Sequence, residues 1–118
     1  MDDPGDPRNL HDLIQTAQRI QSQVARIKEE LASKTATGES GGGVVRCTVS
    51  GAGDVLELAI DPTFPAFATI QQPENRRMLE ELVVGAVNVA LEHARDMAKR
   101  EMAQVAGGLP MPPGMFGT

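Results

Sequence analysis

The sequence predicts an α+β fold: an α-βββ-α protomer with a long N-terminal helix, a three-stranded antiparallel sheet and a long C-terminal helix. Three observations predict it. Apolar residues recur at heptad spacing from Leu10 to Leu31. They alternate at period two through 45–50 and 55–60, and they become nearly continuous from Leu82 to Leu91. At 118 residues the chain has room for one domain. The reading places it at 9–106, after a disordered leader over 1–8 and before a flexible Pro/Met/Gly tail over 107–118.

Asn9, followed three residues later by Asp12, offers a start for the first helix. Leu10, Ala17, Val24 and Leu31 stand seven apart, and Leu13, Ile20 and Ile27 interleave with them. This a/d pattern is free of Gly and Pro and predicts a helix over 9–33, about 38 Å long at 1.5 Å per residue. So small a domain cannot cover all of it, and part is expected to project or to meet a partner. Val45, Cys47 and Val49 then point one way while Arg46, Thr48 and Ser50 point the other. After Gly51-Ala52-Gly53-Asp54, residues Leu56, Leu58 and Ile60 alternate with Val55, Glu57 and Ala59, which predicts a second half-buried strand in a hairpin. Thr35–Ser40 supplies the third strand, and Asp61-Pro62 ends the sheet. Residues 62–73 hold three Pro together with Phe64 and Phe67, an irregular connection expected to cover an edge of the core. The last helix is predicted from Pro73 or Glu74 to about Val105. Its middle is apolar on most of its circumference, interrupted by Gly85 and Asn88. A thin sheet is not expected to bury such a surface, so Leu82, Val83, Ala86, Val87, Ala90 and Leu91 are assigned to a homodimer interface.

Composition supports a second subunit as well. With three Phe and no Trp or Tyr, the core must be built from aliphatic side chains that bury less area than aromatic rings. The single Cys excludes an internal disulfide and fits a reducing compartment. The acidic start lacks the features of a secretory signal, and no apolar run approaches the ~18 residues of a membrane span. The expectation is a soluble, cytoplasmic protein with no membrane partner. The net charge of −5 is unevenly distributed. Residues 8–34 carry five bases and three acids, the one net-positive block. Residues 35–61 carry one base and four acids, and 74–106 carry five bases and six acids.

The order of these parts resembles the YbaB/EbfC family of bacterial nucleoid-associated proteins over about Leu13 to Phe116. The resemblance rests on Ile14-Gln15-Thr16-Ala17-Gln18-Arg19-Ile20-Gln21, Thr37-Gly38-Glu39-Ser40-Gly41-Gly42-Gly43 and Val49-Ser50-Gly51. It continues through Leu58-Ala59-Ile60-Asp61-Pro62, Leu79-Glu80-Glu81-Leu82-Val83 and the Pro/Met/Gly tail. It implies a tweezer-like homodimer that organises the bacterial chromosome in the nucleoid, binding duplex DNA with little sequence preference. One departure is visible: Gln15, Gln18, Gln21, Ser22 and Gln23 stand in a helix that is often Lys-dense in the family.

Candidate phosphate contacts follow from spacing. Arg19 and Arg26 share the heptad c position, an outward stripe about 10 Å apart. Arg8 and Lys28 lie near the same outer side, and Lys34 ends the helix. On the second helix Arg95, Lys99 and Arg100 cluster beside His93. Basic residues near a helix C-terminus also suit the helix dipole, and Asp96 and Glu92 are spaced to pair with Arg100 and Arg95. Arg76 and Arg77 have Glu80 and Glu81 four residues on and read as structural. The Gly38–Gly43 segment lacks the Gly-Lys-Ser/Thr of a phosphate loop and leads into a strand, so it reads as a turn. His11 and His93 lack ligand-spaced neighbours, Cys47 reads as a core residue, and Ser40 and Ser50 lack a base. The expectation is no enzyme, no metal and no cofactor. A protein-binding adaptor of a DNA replication, repair or other cytoplasmic complex, built on the same helices, is the competing reading favoured by the acidic balance.

Overall fold

In the computed structural model, which describes residues 7–106, the first helix α1 spans Pro7–Ser33. It takes in Pro7 and Arg8, both assigned above to a leader, and proline is well suited to a first helical turn because its missing N–H would lack an intrahelical acceptor there. The rest of the expected leader and the whole tail over 107–118 lie outside the described residues. Three strands follow: β1 (Thr35–Ser40), β2 (Val45–Ser50) and β3 (Val55–Ile60), then a 3₁₀ turn at Pro65–Thr69 and the long helix α2 (Pro73–Ala106). The sheet order is β1-β2-β3, antiparallel throughout. The expected α-βββ-α protomer is the observed one. It is elongated, with extents of 75 × 25 × 18 Å.

The β1–β2 turn is closed by Gly41, Gly42 and Gly43, all at positive φ, with the Gly43 amide donating to the Ser40 carbonyl at 3.2 Å. The glycine-rich run is therefore turn geometry. One face of the sheet carries Ala36 and Gly38 of β1 beside Val49 and Cys47 of β2, and α2 lies across it. Val45, Cys47, Val49, Ala86 and Ala90 are completely buried, and Ala94 nearly so. Gly38 sets the approach of the helix: a Cβ there would lie 2.3 Å from the Ala90 amide nitrogen. Two side-chain clasps reinforce the contact. Ser40 Oγ donates to the Leu82 carbonyl at 2.5 Å, and His93 Nδ1 lies 2.6 Å from the Thr37 carbonyl. A carbonyl only accepts, so Nδ1 carries the proton. Phe64 and Phe67 stack edge to face, centroids 5.3 Å apart, against the same core.

Two expectations need correction. β3 is not half-buried: all six of its residues are exposed, with Leu56 at 57% and Val55 at 53%. α2 covers β1 and β2 and stops short of β3. A bulge near Thr48/Val49 also pairs Val55 with Val49 and leaves Leu56 as the extra residue, so the simple alternation of 55–60 is broken. The second correction concerns α2. The sheet buries more of that helix than its three strands suggested, because Gly38 and the alanines let the two backbones approach closely. Ala86 and Ala90 are consumed inside the protomer, while Leu82, Val83, Val87 and Leu91 pack against the core with part of their surface remaining.

Candidate nucleic-acid interface

Only the C-terminal part of α1 is anchored. Ile27 and Leu31 are buried, and Gly51 brings the β2–β3 turn onto the last turn of α1, its amide donating to the Lys34 carbonyl at 2.9 Å. Towards the N-terminus the heptad positions emerge into solvent, and Leu10 and Leu13 are 57% and 62% exposed. The two helices run in opposite directions where they meet. Lys34 bonds Glu101, while Gln23, Arg26 and Ile27 line an open groove with Gln104 and Val105, so α2 travels back along α1.

The predicted cations divide by place. Arg19 is exposed on the projecting part of α1, Arg26 is exposed at the groove where α1 meets α2, and Arg8 stands in the first turn. Arg100 is one turn before Gln104, which puts it on the same side of the helix junction as Arg26. Arg95 and Lys99, also exposed and one turn apart, lie further round α2. Lys28 is exposed on α1. Lys34 is engaged inside the protomer, where its ammonium contacts the Glu101 carboxylate at 2.5 Å and ties the end of α1 to α2. That hydrogen bond, with the charges of Glu101 and Glu30, raises the Lys34 pKa.

Among the described residues, the ion pairs are Lys34–Glu101 and Arg46–Glu39. The pairings that spacing offered on α2, Asp96 with Arg100 and Glu92 with Arg95, are not made, nor are those of Arg76 and Arg77 with Glu80 and Glu81. The guanidinium groups of Arg19, Arg26, Arg95 and Arg100 are thus left to solvent or to an anion. No cluster of metal-ligating residues occurs among the described residues, and no helix there is long and apolar enough to cross a membrane. The Cys47 thiol is pushed up in pKa by burial, the environment of a packing residue rather than a nucleophile.

Sequence reasoning missed one surface. β3 presents Val55, Leu56, Leu58 and Ile60, each at least 39% exposed, along an open sheet edge. Val84 on α2 adds a further apolar side chain at 59% exposure. The signal was present in the apolar content of 55–60, but alternation alone does not say whether a strand's apolar side meets its own helix or nothing.

Comparison with known proteins decides the family. The model of the YbaB/EbfC DNA-binding family matches residues 6–109. The chain belongs to this family. A nucleoid-associated protein of Acetivibrio thermocellus is 35% identical over 113 residues, covering 96% of this chain and 95% of the relative. One from Syntrophobacter fumaroxidans is 38% identical over 107 residues, covering 87% and 92%. The fold matches the crystal structure of an uncharacterised protein from Helicobacter pylori with a TM-score of 0.50 at 17% identity, covering 87% of this chain and 95% of that one. The YbaB/EbfC family is a family of nucleoid-associated DNA-binding proteins, not of enzymes. The architecture and the family expected from the quoted motifs are therefore both established.

Proposed function

We propose that this YbaB/EbfC member binds duplex DNA as a homodimer in the nucleoid, through phosphates and with little sequence preference. The observation that carries the reading is helix α1, with Arg19 exposed on its projecting part and Arg26 exposed at its root beside Arg100 of α2. Guanidinium groups about 10 Å apart on a rigid rod can engage separate phosphates, and phosphate contacts carry no base information. Arg8, Lys28, Arg95 and Lys99 add to the field, and Lys34 contributes only what its bond to Glu101 leaves available.

The dimer reading rests on β3. An unpaired edge bearing four large, exposed aliphatic side chains is a surface that soluble proteins normally cover. A second copy covers it, together with Val84 and the remaining surface of Leu82, Val83, Val87 and Leu91. Light scattering at micromolar concentration is expected to give twice the chain mass, and Leu58→Glu is expected to give the monomer. A wild-type monomer would overturn this part.

Band-shift titration over a salt series tests the DNA reading. Each phosphate neutralised contributes about 0.9 to the slope of log K against log salt. Arg19→Glu with Arg26→Glu, doubled by the dimer, should flatten that slope by up to about 3.6 and weaken all sequences alike. Absence of binding at low salt by folded dimer would refute the reading, and loss at one sequence alone would refute phosphate recognition.

A further inference from the structure

Past the groove that Gln23 and Ile27 share with Gln104 and Val105, helix α1 continues outward as residues 7–22 with its apolar side in solvent. Leu13 is 62% exposed, Leu10 57% and Ile14 49%; Ala17 is exposed and Ile20 partly so. This stripe is the outer end of the heptad that turns Ile27 and Leu31 into the protomer. An isolated helix of about 12–15 residues is marginal in water, so so short a projection gains from a packing partner.

The flanks of the stripe favour an identical helix as that partner. With Leu10 and Ala17 at heptad a and Leu13 and Ile20 at d, the e and g positions are Asn9, Ile14, Thr16, Gln21 and Gln23, all uncharged. Asp12 and Arg19 stand at c, away from the seam. Charges at e and g are what choose between partners in such a seam. Here they neither repel an identical helix nor reward a charged one, and an identical helix carries the same uncovered stripe.

The root of α1 sets the direction. At Ile27 the stripe already faces α2, so a parallel partner helix would run into the space that α2 holds. An antiparallel partner stops short of it. With Leu10 against the partner's Ile20 and Leu13 against the partner's Ala17, Asn9 of each helix stands level with Gln21 of the other, just outside the groove that begins at Gln23. That register also sets a large side chain against a small one, where parallel pairing would oppose Ala17 to itself. Covering these side chains removes on the order of 300 Å² from each helix. The total of about 600 Å² is half the ~1,200 Å² of a stable interface, so the contact is weak and fills at high local concentration.

We propose that the exposed stripe of α1 pairs antiparallel with the same stripe of a second copy, joining molecules tip to tip. The pairing uses no residue of β3, so a dimer closed through β3 carries two free tips and can be linked into chains. Molecules crowded on one DNA duplex meet the concentration this needs, a consequence that rests on the DNA reading above.

The test uses the full chain with Cys47→Ala and Leu58→Glu, the second change keeping β3 out of the measurement, its fold checked by circular dichroism. A nitroxide is attached at Gln15→Cys or at Ser22→Cys, both exposed heptad f positions. Double electron–electron resonance at high micromolar concentration is expected to show a 15–15 distance whose amplitude grows with concentration. In the antiparallel pair residue 15 lies opposite itself, whereas the two copies of residue 22 are offset by about 21 Å along the axis. The 22–22 distance is therefore expected to be clearly longer. Equal distances at the two sites mean a parallel pair and overturn the proposal. Absence of coupling at 15 across the concentration series overturns it too and gives the stripe to a different partner. Leu13→Glu, at an exposed position, is expected to abolish the coupling; persistence would show contact through another surface and also overturn it. With β3 blocked throughout, none of these outcomes bears on the β3 dimer.

Discussion

Gly38→Ala tests how α2 is held on the sheet. The added methyl would lie 2.3 Å from the Ala90 nitrogen, 2.6 Å from the Ala86 oxygen and 2.9 Å from the Ala90 Cα. Favourable contacts begin near about 3.5 Å, so the nearest pair must separate by about 1 Å. All three atoms belong to helix backbone, and none can move without its turn. Relief therefore requires α2 to lift from β1 as a unit, which opens the contact along Ala86, Ala90 and Ala94, now 0%, 0% and 2% exposed. Overpacking of this kind costs about 1–3 kcal/mol, and the rigid neighbour argues for the upper end. The smaller unfolded-state entropy of alanine returns less than about 1 kcal/mol. A net loss of about 2 kcal/mol should lower Tm by roughly 8–16 °C in a domain of this size. The assay is thermal unfolding followed by far-UV circular dichroism at one fixed protein concentration, since any association couples to stability. Adding Ala90→Gly should not rescue the variant, because the clash is with backbone. A Gly38→Ala Tm within about 2 °C of wild type would refute the reasoning, given that scaling.

Gly85 should behave in the opposite way. A Cβ there meets only the Ser40 Cβ at 3.5 Å, so Gly85→Ala should stabilise the helix by about 0.8–1 kcal/mol in urea titration; a loss would mean another surface closes on that turn. Cys47 is completely buried with its thiol pKa raised, so an aromatic disulfide reagent should leave it untouched in the native protein and titrate it fully in urea; rapid native reaction would contradict its placement. Asp61 accepts bonds from the Thr63 amide at 2.9 Å and the Thr63 hydroxyl at 2.7 Å, which hold its carboxyl below the usual 3.8. A lowered folded-state pKa gives stability that is present above the unfolded value and lost as pH falls through the folded one. Asp61→Asn should therefore shrink the acid-induced loss of stability seen by urea unfolding from about pH 5 downward, and an unchanged acid limb would refute it.

Periodicity made the elements legible because each element's repeat is written in its own residues. The heptad of α1, the Val45/Cys47/Val49 alternation and the apolar run of α2 each needed only local sequence. What escaped was which apolar side meets which. The closeness of α2 to β1 depends on Gly38 facing Ala86 and Ala90, a juxtaposition of residues about fifty positions apart. Once those backbones touch, the sheet buries the alanines, and the exposed apolar surface moves to β3, where a bulge upsets the simple alternation. The candidate cations were legible as a spacing, yet their state was not. Lys34 is recruited by Glu101, sixty-seven residues away, whereas Arg100 ignores the neighbouring Asp96 that spacing offered.

The same geometry explains why a net charge of −5 is a poor guide to what the projecting helix attracts. The acids of the sheet region, Glu39, Asp54, Glu57 and Asp61, belong to the body in which Ile27 and Leu31 are anchored. Arg19 lies twelve residues before Leu31, about 18 Å along the helix axis. That exceeds two screening lengths at physiological ionic strength, where the Debye length is about 8 Å. An anion approaching the outer helix therefore meets Arg19 against its immediate neighbours, of which Gln15, Gln18, Gln21, Ser22 and Gln23 are neutral, whereas Arg26 has Glu29 and Glu30 within one turn. The glutamines that dilute the cationic charge also keep acids away from Arg19, so the outer helix presents a guanidinium that is only weakly opposed, while Arg26 is opposed by its neighbouring glutamates. Lowering the salt lengthens the screening distance and brings the acidic body into range, which partly offsets the gain in attraction that a purely cationic rod would show.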